Sequence, residues 1–150
     1  MTTFGIEQRL RDREPDRDVT GRRLALPPES WLLRGGSQPE YYIYRALQGR
    51  GLVEGIDFTY QSPQAGGRMT LGGAIVDFLV VFPPIGINVQ SLYYHATTAE
   101  QRAHDITIRA TLEGQGIQVF FISEDEAINN PSGAVADAIA GRGSTDPIGL

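Results

Sequence analysis

The spacing of apolar and polar residues predicts a helix near residue 37. In the segment SQPE, Ser37 occupies an N-cap position, Pro39 lies in the first turn, and Glu40 follows the cap by three residues. This pattern is typical of a capping box, in which the serine and the glutamate each accept a hydrogen bond from the other's backbone N–H group. The helix is expected to run to about Gln48 and to end at one of the glycines that follow.

Three extended segments are predicted after this helix. Residues 57–62 alternate between apolar and polar side chains, and residues 73–82 form a long apolar run that a pair of prolines ends. Residues 85–92 are predicted to be the neighbouring strand of that run. Both faces of the strand at 73–82 are apolar, so we expect it to be central and covered on both sides, with Asp77 as its only charge.

The remaining pattern predicts a helix, a strand and a last helix. Two overlapping capping boxes place the start of the helix near Thr98, and an apolar stripe that includes Ile106 and Leu112 is expected to face the core. A buried strand is predicted at 117–122, and Asn130 with the proline after it begins the last helix. The order α-β-β-β-α-β-α indicates the α/β class.

The charges are distributed unevenly along the 150 residues. The net charge is −5, and all 13 basic residues are arginines, seven of which fall in the first 37 residues beside six acids. Residues 1–36 are therefore predicted to be a charged arm and connector, from which Trp31 docks on the domain. The arm is either solvated or a contact surface for phosphates or a partner subunit. The ordered domain is expected at 37–141, with a flexible tail at 142–150.

The composition excludes several classes of protein for this chain. With 41% hydrophobic residues the chain is typical of a globular protein, and the lack of cysteine excludes disulfides and thiolate zinc sites. No apolar run approaches the roughly 20 residues of a membrane span, and the first residues do not resemble a signal peptide. We therefore expect no membrane association and a cytoplasmic location, in a cell or encoded by a phage that replicates there.

Asp77 is the first candidate for chemistry, because a carboxylate in an apolar strand is costly unless it is paired. One interpretation is an ion pair with an arginine such as Arg68 or Arg102. The other is a divalent cation, since Gln90 on the partner strand is expected at the same end of the sheet. One carboxylate, one amide oxygen, backbone carbonyls and water form a site that suits Mg²⁺ or Mn²⁺.

Two further residues are open to two interpretations. Glu40 is fully explained as a capping-box residue, although its position at the start of the first helix also allows a role in a site. His95 follows two tyrosines where a strand is predicted to end, so it is either an exposed loop residue or a group that moves a proton.

The motifs in this order resemble the restriction-endonuclease-like PD-(D/E)xK nucleases, and most closely the very short patch repair endonucleases. The similarity covers about residues 37–126. Its motifs are four segments of the sequence: PEYYIYRALQGRG with Glu40; GGAIVDF with Asp77; VQSLYYH with Gln90, Tyr93, Tyr94 and His95; and HDITIRATLEGQGIQVFFISE with Asp105, Leu112, Gly116 and Glu124.

The resemblance implies a core of order α-β-β-β-α-β with a central mixed sheet flanked by helices. It also implies an Mg²⁺-dependent DNA endonuclease with Asp77 and Gln90 as metal ligands, Glu40 reaching the metal through water, and His95 assisting proton transfer. Arg68 and Arg102 are then candidate DNA contacts. DNA is the expected partner, together with a second copy of the chain or a partner protein at the arm.

Two features depart from that family. Gln90 stands where its members carry a second acid, and Leu92 stands at the position of the motif lysine, a residue type that this chain lacks. These departures favour an alternative in which the nuclease fold serves as a DNA-binding or structural component without catalysis. A third interpretation, an acidic binding module unrelated to nucleases, requires Asp77 to be paired with an arginine.

Overall fold

A computed structural model of the chain describes residues 16–60, 76–90 and 99–146. In chain order, its helices are α1 (Glu29–Leu33), α2 (Gln38–Gly49), α3 (Ala99–Glu113), α4 (Glu124–Asn129) and α5 (Pro131–Ile139). Its strands are β1 (Phe58–Tyr60), β2 (Phe78–Val80), β3 (Ile85–Gln90) and β4 (Gln118–Ser123). The predicted mixed α/β class is confirmed.

The four strands form one mixed sheet in the order β1-β2-β3-β4. The first two pairings are antiparallel, with Phe58 opposite Val80 and Phe78 opposite Ile87. Strands β3 and β4 are parallel, and α3 lies in the connection between them. Parallel neighbours require such a crossover, because the chain must return to the same end of the sheet before the second strand begins.

Helices cover both faces of the sheet. On one face, aromatic and aliphatic side chains of all four strands pack with residues of α2, α4 and α5 in the larger core. Its fully buried members are Ile43, Leu47, Phe58, Phe78, Ile87, Phe120, Ala127 and Val135. On the other face, Leu112 of α3 packs against Val76, Val119 and Phe121 in a smaller core.

The predicted bounds of helix α2 are confirmed, together with its capping box. The Ser37 hydroxyl accepts from the backbone N–H of Glu40 at 3.2 Å, and the Glu40 carboxylate accepts from the N–H of Ser37 at 2.9 Å. The start of α5 is also as predicted, since the Asn130 side chain accepts from the N–H of Gly133. These signals are local in sequence, which is why the pattern located them.

The strand predicted at 73–82 is shorter in the structure. Strand β2 ends at Val80, and the next four residues form the turn to β3, so that Val81 and Phe82 are 63% and 87% exposed. Prolines at 83 and 84 have no N–H group to donate to a β-ladder, so the pairing of β2 with β3 ends at Val80 and Ile85. The apolar residues Val81 and Phe82 are therefore left in the turn rather than in the strand. Residues 61–62, 73–75 and 91–92 of the predicted strands lie outside the described residues.

The apolar stripe predicted for α3 was wrong in part. Leu112 is buried, but Ile106 is 37% exposed. The buried side of the helix instead contains Asp105 and Leu112, with Ile108 partly buried between them. This spacing follows the helical period of 3.6 residues, whereas Ile106 falls on the neighbouring, solvent-facing side. The predicted caps at 97 and 98 lie outside the described residues.

Residues 16–36 make contacts with the domain. Trp31 of α1 is 2% exposed, as expected for a docking residue, and its indole N–H donates to the Ser37 carbonyl at 2.9 Å. The Asp16 carboxylate accepts from the side chains of Gln38 and Tyr42 at 2.6 and 2.9 Å. Helix α1 was not predicted, because five residues are too few to show a helical period.

No helix in the described ranges has the length and apolar character that a membrane crossing requires.

Candidate functional site

Asp77 lies where strands β2 and β3 separate. The last regular pair joins Phe78 to Ile87, and Asp77 precedes β2 in a bend, which corrects its predicted place inside the strand. Its backbone N–H donates to the Asn88 side-chain oxygen at 2.9 Å, and its Oδ2 accepts from the N–H of Val89 at 2.8 Å. On each strand, a side-chain oxygen thus accepts the hydrogen bond that a backbone carbonyl would accept in a regular ladder. These two bonds fix the orientation of the Asp77 carboxyl group.

Glu40 reaches the same place from the first turn of α2. Its Oε1 accepts from the Tyr60 hydroxyl at 3.0 Å, in addition to the capping bond from the Ser37 N–H group. The Glu40 carboxyl group lies close enough to that of Asp77 for its charge and its hydrogen bonding to raise the pKa of Asp77. The structure therefore brings together two acids that lie 37 positions apart in the sequence, and we call them the acid pair.

Burial and the nearby charge of Glu40 change the titration of Asp77 and Tyr60. Burial raises the pKa of Asp77 well above its usual value of 3.8, and the charge of Glu40, the hydrogen bond to Glu40 and the charge of Asp105 add to this effect. The N–H of Val89 opposes it. Burial and the charge of Glu40 also raise the pKa of Tyr60. The environment of Asp77 therefore favours a protonated carboxyl group or a nearby cation.

Gln90 lies at the end of β3 and is 2% exposed. Its side-chain amide donates to Oδ2 of Asp105, on α3, at 2.6 Å. The structure thus directs this amide to an acid that the sequence pattern had not selected as a site residue. The sequence signal that could have identified Asp105 is the position of its carboxylate on the apolar side of a helix, because such a residue is seldom buried without a partner.

The other predicted site residues are placed as follows. His95 and Arg68 lie outside the described residues. Arg102 is on α3, three residues before Asp105, and is partly exposed. Among the residues that the structure describes, no arginine forms an ion pair with Asp77.

The donor set of the acid pair fits a hard divalent cation. No cluster of three or more His, Cys, Asp or Glu side chains suited to a metal occurs between residues 16 and 60, 76 and 90, or 99 and 146. Mg²⁺ is commonly held by only one or two carboxylates and keeps several of its waters. Glu40 and Asp77 supply two such carboxylates, and the raised pKa of Asp77 shows that the pair favours added positive charge.

Comparison of the chain with models of protein families, with curated proteins and with solved structures found no match.

Proposed function

We propose that this protein is a metal-dependent DNA endonuclease whose catalytic centre is the acid pair Glu40 and Asp77. The convergence of these two carboxyl groups at the open end of a β-strand pair is the observation that carries the proposal: Val89 holds that of Asp77, Tyr60 holds that of Glu40, and the charge of Glu40 raises the pKa of Asp77. The finer assignment to a restriction-endonuclease-like core is part of the same proposal. The element order from α2 to β4 and the strand order β1-β2-β3-β4 support it.

Each described residue of the site has a defined part in this proposal. The N–H of Val89 holds the Asp77 carboxyl group, and the Asn88 side chain holds the Asp77 backbone N–H. Tyr60 and the N–H of Ser37 hold the carboxyl group of Glu40. When bound, Mg²⁺ or Mn²⁺ polarises a phosphate oxygen and lowers the pKa of coordinated water. Because Asp77 would bind a cation as a carboxylate and its pKa is raised, cation affinity should rise with pH.

Gln90 and Asp105 form the boundary of this site on the α3 side. Because the amide of Gln90 donates to Asp105, the two residues hold β3 and α3 together at the end of the sheet nearest Asp77. Metal ligation by Gln90 remains part of the proposal, as do DNA contacts by Arg102 and Arg68 and proton transfer by His95. DNA is the proposed substrate and Mg²⁺ or Mn²⁺ the proposed cofactor.

The decisive experiment is incubation of the purified protein with supercoiled plasmid and Mg²⁺ or Mn²⁺. We expect nicking by the wild type, and a loss of at least about 100-fold in Asp77→Asn and Glu40→Gln, since removing even an outer-shell partner costs about 10- to 100-fold. Asp125→Asn is the matched control, because Asp125 is an exposed acid at the start of α4. It should nick as the wild type does.

The alternative is a nuclease-fold protein that binds DNA or has a structural role without catalysis. The amide at position 90, bound to Asp105, and the complete lack of lysine favour it. If neither cation supports nicking and neither raises the melting temperature, the endonuclease proposal is wrong. DNA binding without nicking would then support the alternative.

A further inference from the structure

A second site on this protein is a cavity of about 570 Å³ on the outer side of helix α2. Residues 22–25, helix α2 and the start of α5 form its walls. Four of the lining side chains are arginines, namely Arg22, Arg23, Arg45 and Arg50, and none of the lining residues is an acid. We call this cavity the arginine pocket.

The positive charge of the arginine pocket is largely uncompensated. Arg22 forms an ion pair with Asp18 at 3.4 Å, and Arg45 donates to the neutral side chain of Gln48 at 3.1 Å. Within the described ranges, no ion pair involves Arg23, Arg45 or Arg50. All four arginines are solvent-exposed and accessible to a ligand. Four cations around one cavity, in a chain of net charge −5, favour an anionic occupant.

The arginine pocket and the acid pair lie on opposite sides of α2. The pocket residues Tyr42, Arg45, Ala46 and Gly49 follow a spacing of three, four and seven positions, which places them on one side of the helix. Glu40 precedes Tyr42 by two positions, a rotation of about 200° about the helix axis. A ligand in the pocket would therefore not contact the acid pair.

The side chains that line the arginine pocket indicate which type of anion it would bind. Guanidinium groups offer a planar fork of N–H donors that matches two phosphate oxygens, and they keep their charge at any physiological pH. A volume of about 570 Å³ lies within the range of small-molecule sites and leaves room for an organic group beside a phosphate. Leu24 and Ala46 supply apolar surface for that group.

We infer that the arginine pocket binds an organic phosphate of nucleotide size through its phosphate group. This binding is a function separate from the proposed nuclease centre and does not depend on it. The phosphate can belong to a free nucleotide or to the phosphorylated end of a DNA strand, and both present the same terminal phosphate to the four arginines.

Calorimetric titration in EDTA at low ionic strength tests this inference. The probes are adenosine 5′-monophosphate, adenosine, inorganic phosphate, and one short DNA duplex with and without 5′-phosphates. We expect the monophosphate to bind and adenosine not to bind. Because two of the four arginines are removed, the double variant Arg45→Gln and Arg50→Gln should weaken binding at least about tenfold.

Two control variants are matched to the double variant. Arg142→Gln removes an exposed arginine three residues beyond the end of α5 and should change the affinity less than about twofold, as expected for a remote charge in screening solvent. Asp77→Asn should leave binding unchanged, so the result is independent of the proposed nuclease activity. Circular dichroism would establish that each variant is folded.

Each outcome decides between the two sources of phosphate or overturns the inference. Competition by the 5′-phosphorylated duplex but not by the unphosphorylated one assigns the pocket to DNA ends, whereas no competition by either duplex assigns it to free nucleotides. The inference is overturned if the monophosphate does not bind, if adenosine binds equally well, or if Arg142→Gln weakens binding as much as the double variant does.

Discussion

At the scale of single residues, three neighbours of different kinds hold Asp77. The N–H of Val89 donates to its carboxylate, Asn88 accepts from its backbone, and Glu40 approaches it as a second acid. The first contact favours the ionised carboxylate, whereas burial and the second acid favour the protonated form and dominate. The environment of Asp77 therefore favours a protonated carboxyl group or a bound cation over the bare carboxylate.

The raised pKa of Asp77 predicts how stability depends on pH without a divalent cation. Between its usual value of 3.8 and its higher folded value, the folded state binds more protons than the unfolded state. The free energy of unfolding contributed by Asp77 should thus be greatest below that window, fall as the pH rises through it, and stay constant above. Urea unfolding of wild type and Asp77→Asn in EDTA, from about pH 4 to about pH 8, measures this difference.

The difference between the two proteins isolates Asp77 from other groups that titrate, such as Glu126, whose pKa is raised mainly by burial. Addition of Mg²⁺ at the upper end of the range should restore stability to the wild type and leave Asp77→Asn unchanged. If the free energy of unfolding depends on pH in the same way in the two proteins, the pKa of Asp77 is not raised in the folded state.

At the scale of elements, helix α2 contributes residues to both proposed sites from two of its sides. Its first turn holds Glu40 against Asp77, while Arg45 and Arg50 line the arginine pocket on the outer side. The capping box fixes the start of the helix, and its glutamate also accepts from the Tyr60 hydroxyl. The same carboxylate therefore connects the helix start, strand β1 and the acid pair.

Loss of the Ser37 hydroxyl should weaken the start of α2. In Ser37→Ala the N–H of Glu40 loses its acceptor, which should lower the free energy of unfolding by about 1 kcal/mol, or the melting temperature by about 3 °C. Ser37→Asp keeps a side-chain acceptor and should retain most of that stability. Thermal unfolding of the three proteins measures the effect, and equal losses in both variants would contradict a capping role.

At the scale of the whole molecule, the segment before α2 is part of the packed structure. The Trp31 ring contacts those of Tyr41, Tyr44 and Tyr60, at centroid distances between 4.5 and 5.4 Å, and the Arg34 guanidinium lies over it at 5.3 Å. Arg34 also pairs with Glu54, beyond the end of α2, at 2.5 Å. One aromatic cluster thus joins α1, α2 and β1.

A methyl group at position 36 should disturb this cluster. A Cβ atom there would lie 2.2 Å from Nε1 of the Trp31 indole, which is buried and hydrogen-bonded and has little room to move. Gly36→Ala should lower the free energy of unfolding by about 1–3 kcal/mol, as overpacking does. Gly49→Ala is the matched control, because no atom lies within 4 Å of its added methyl group.

Urea unfolding of both glycine variants measures these effects. Gly49→Ala should be neutral or stabilising by up to about 1 kcal/mol, since alanine restricts the unfolded chain. Comparable stability of the two variants would mean that the Trp31 cluster contributes little to the folded state.

The elements whose signals are local follow from the order of the amino acids alone. The capping box of α2, the apolar strand β4 and the Asn-Pro start of α5 each depend on residues within one or two turns of one another, and each is observed close to its predicted bounds. The sequence also singled out Asp77 as a carboxylate in need of a partner, and it included Glu40 among the candidates for the same site.

The contacts between residues that are distant in the sequence arise only in the folded molecule. The sheet order and the packing of α2 brought Glu40 to Asp77, the helical phase of α3 directed Asp105 to Gln90, and the fold gathered four arginines from two separate segments around one cavity. These contacts join residues 15 or more positions apart. They arise because each helix and strand must bury its apolar side against the others, and that requirement is satisfied by the assembled molecule rather than by any single segment.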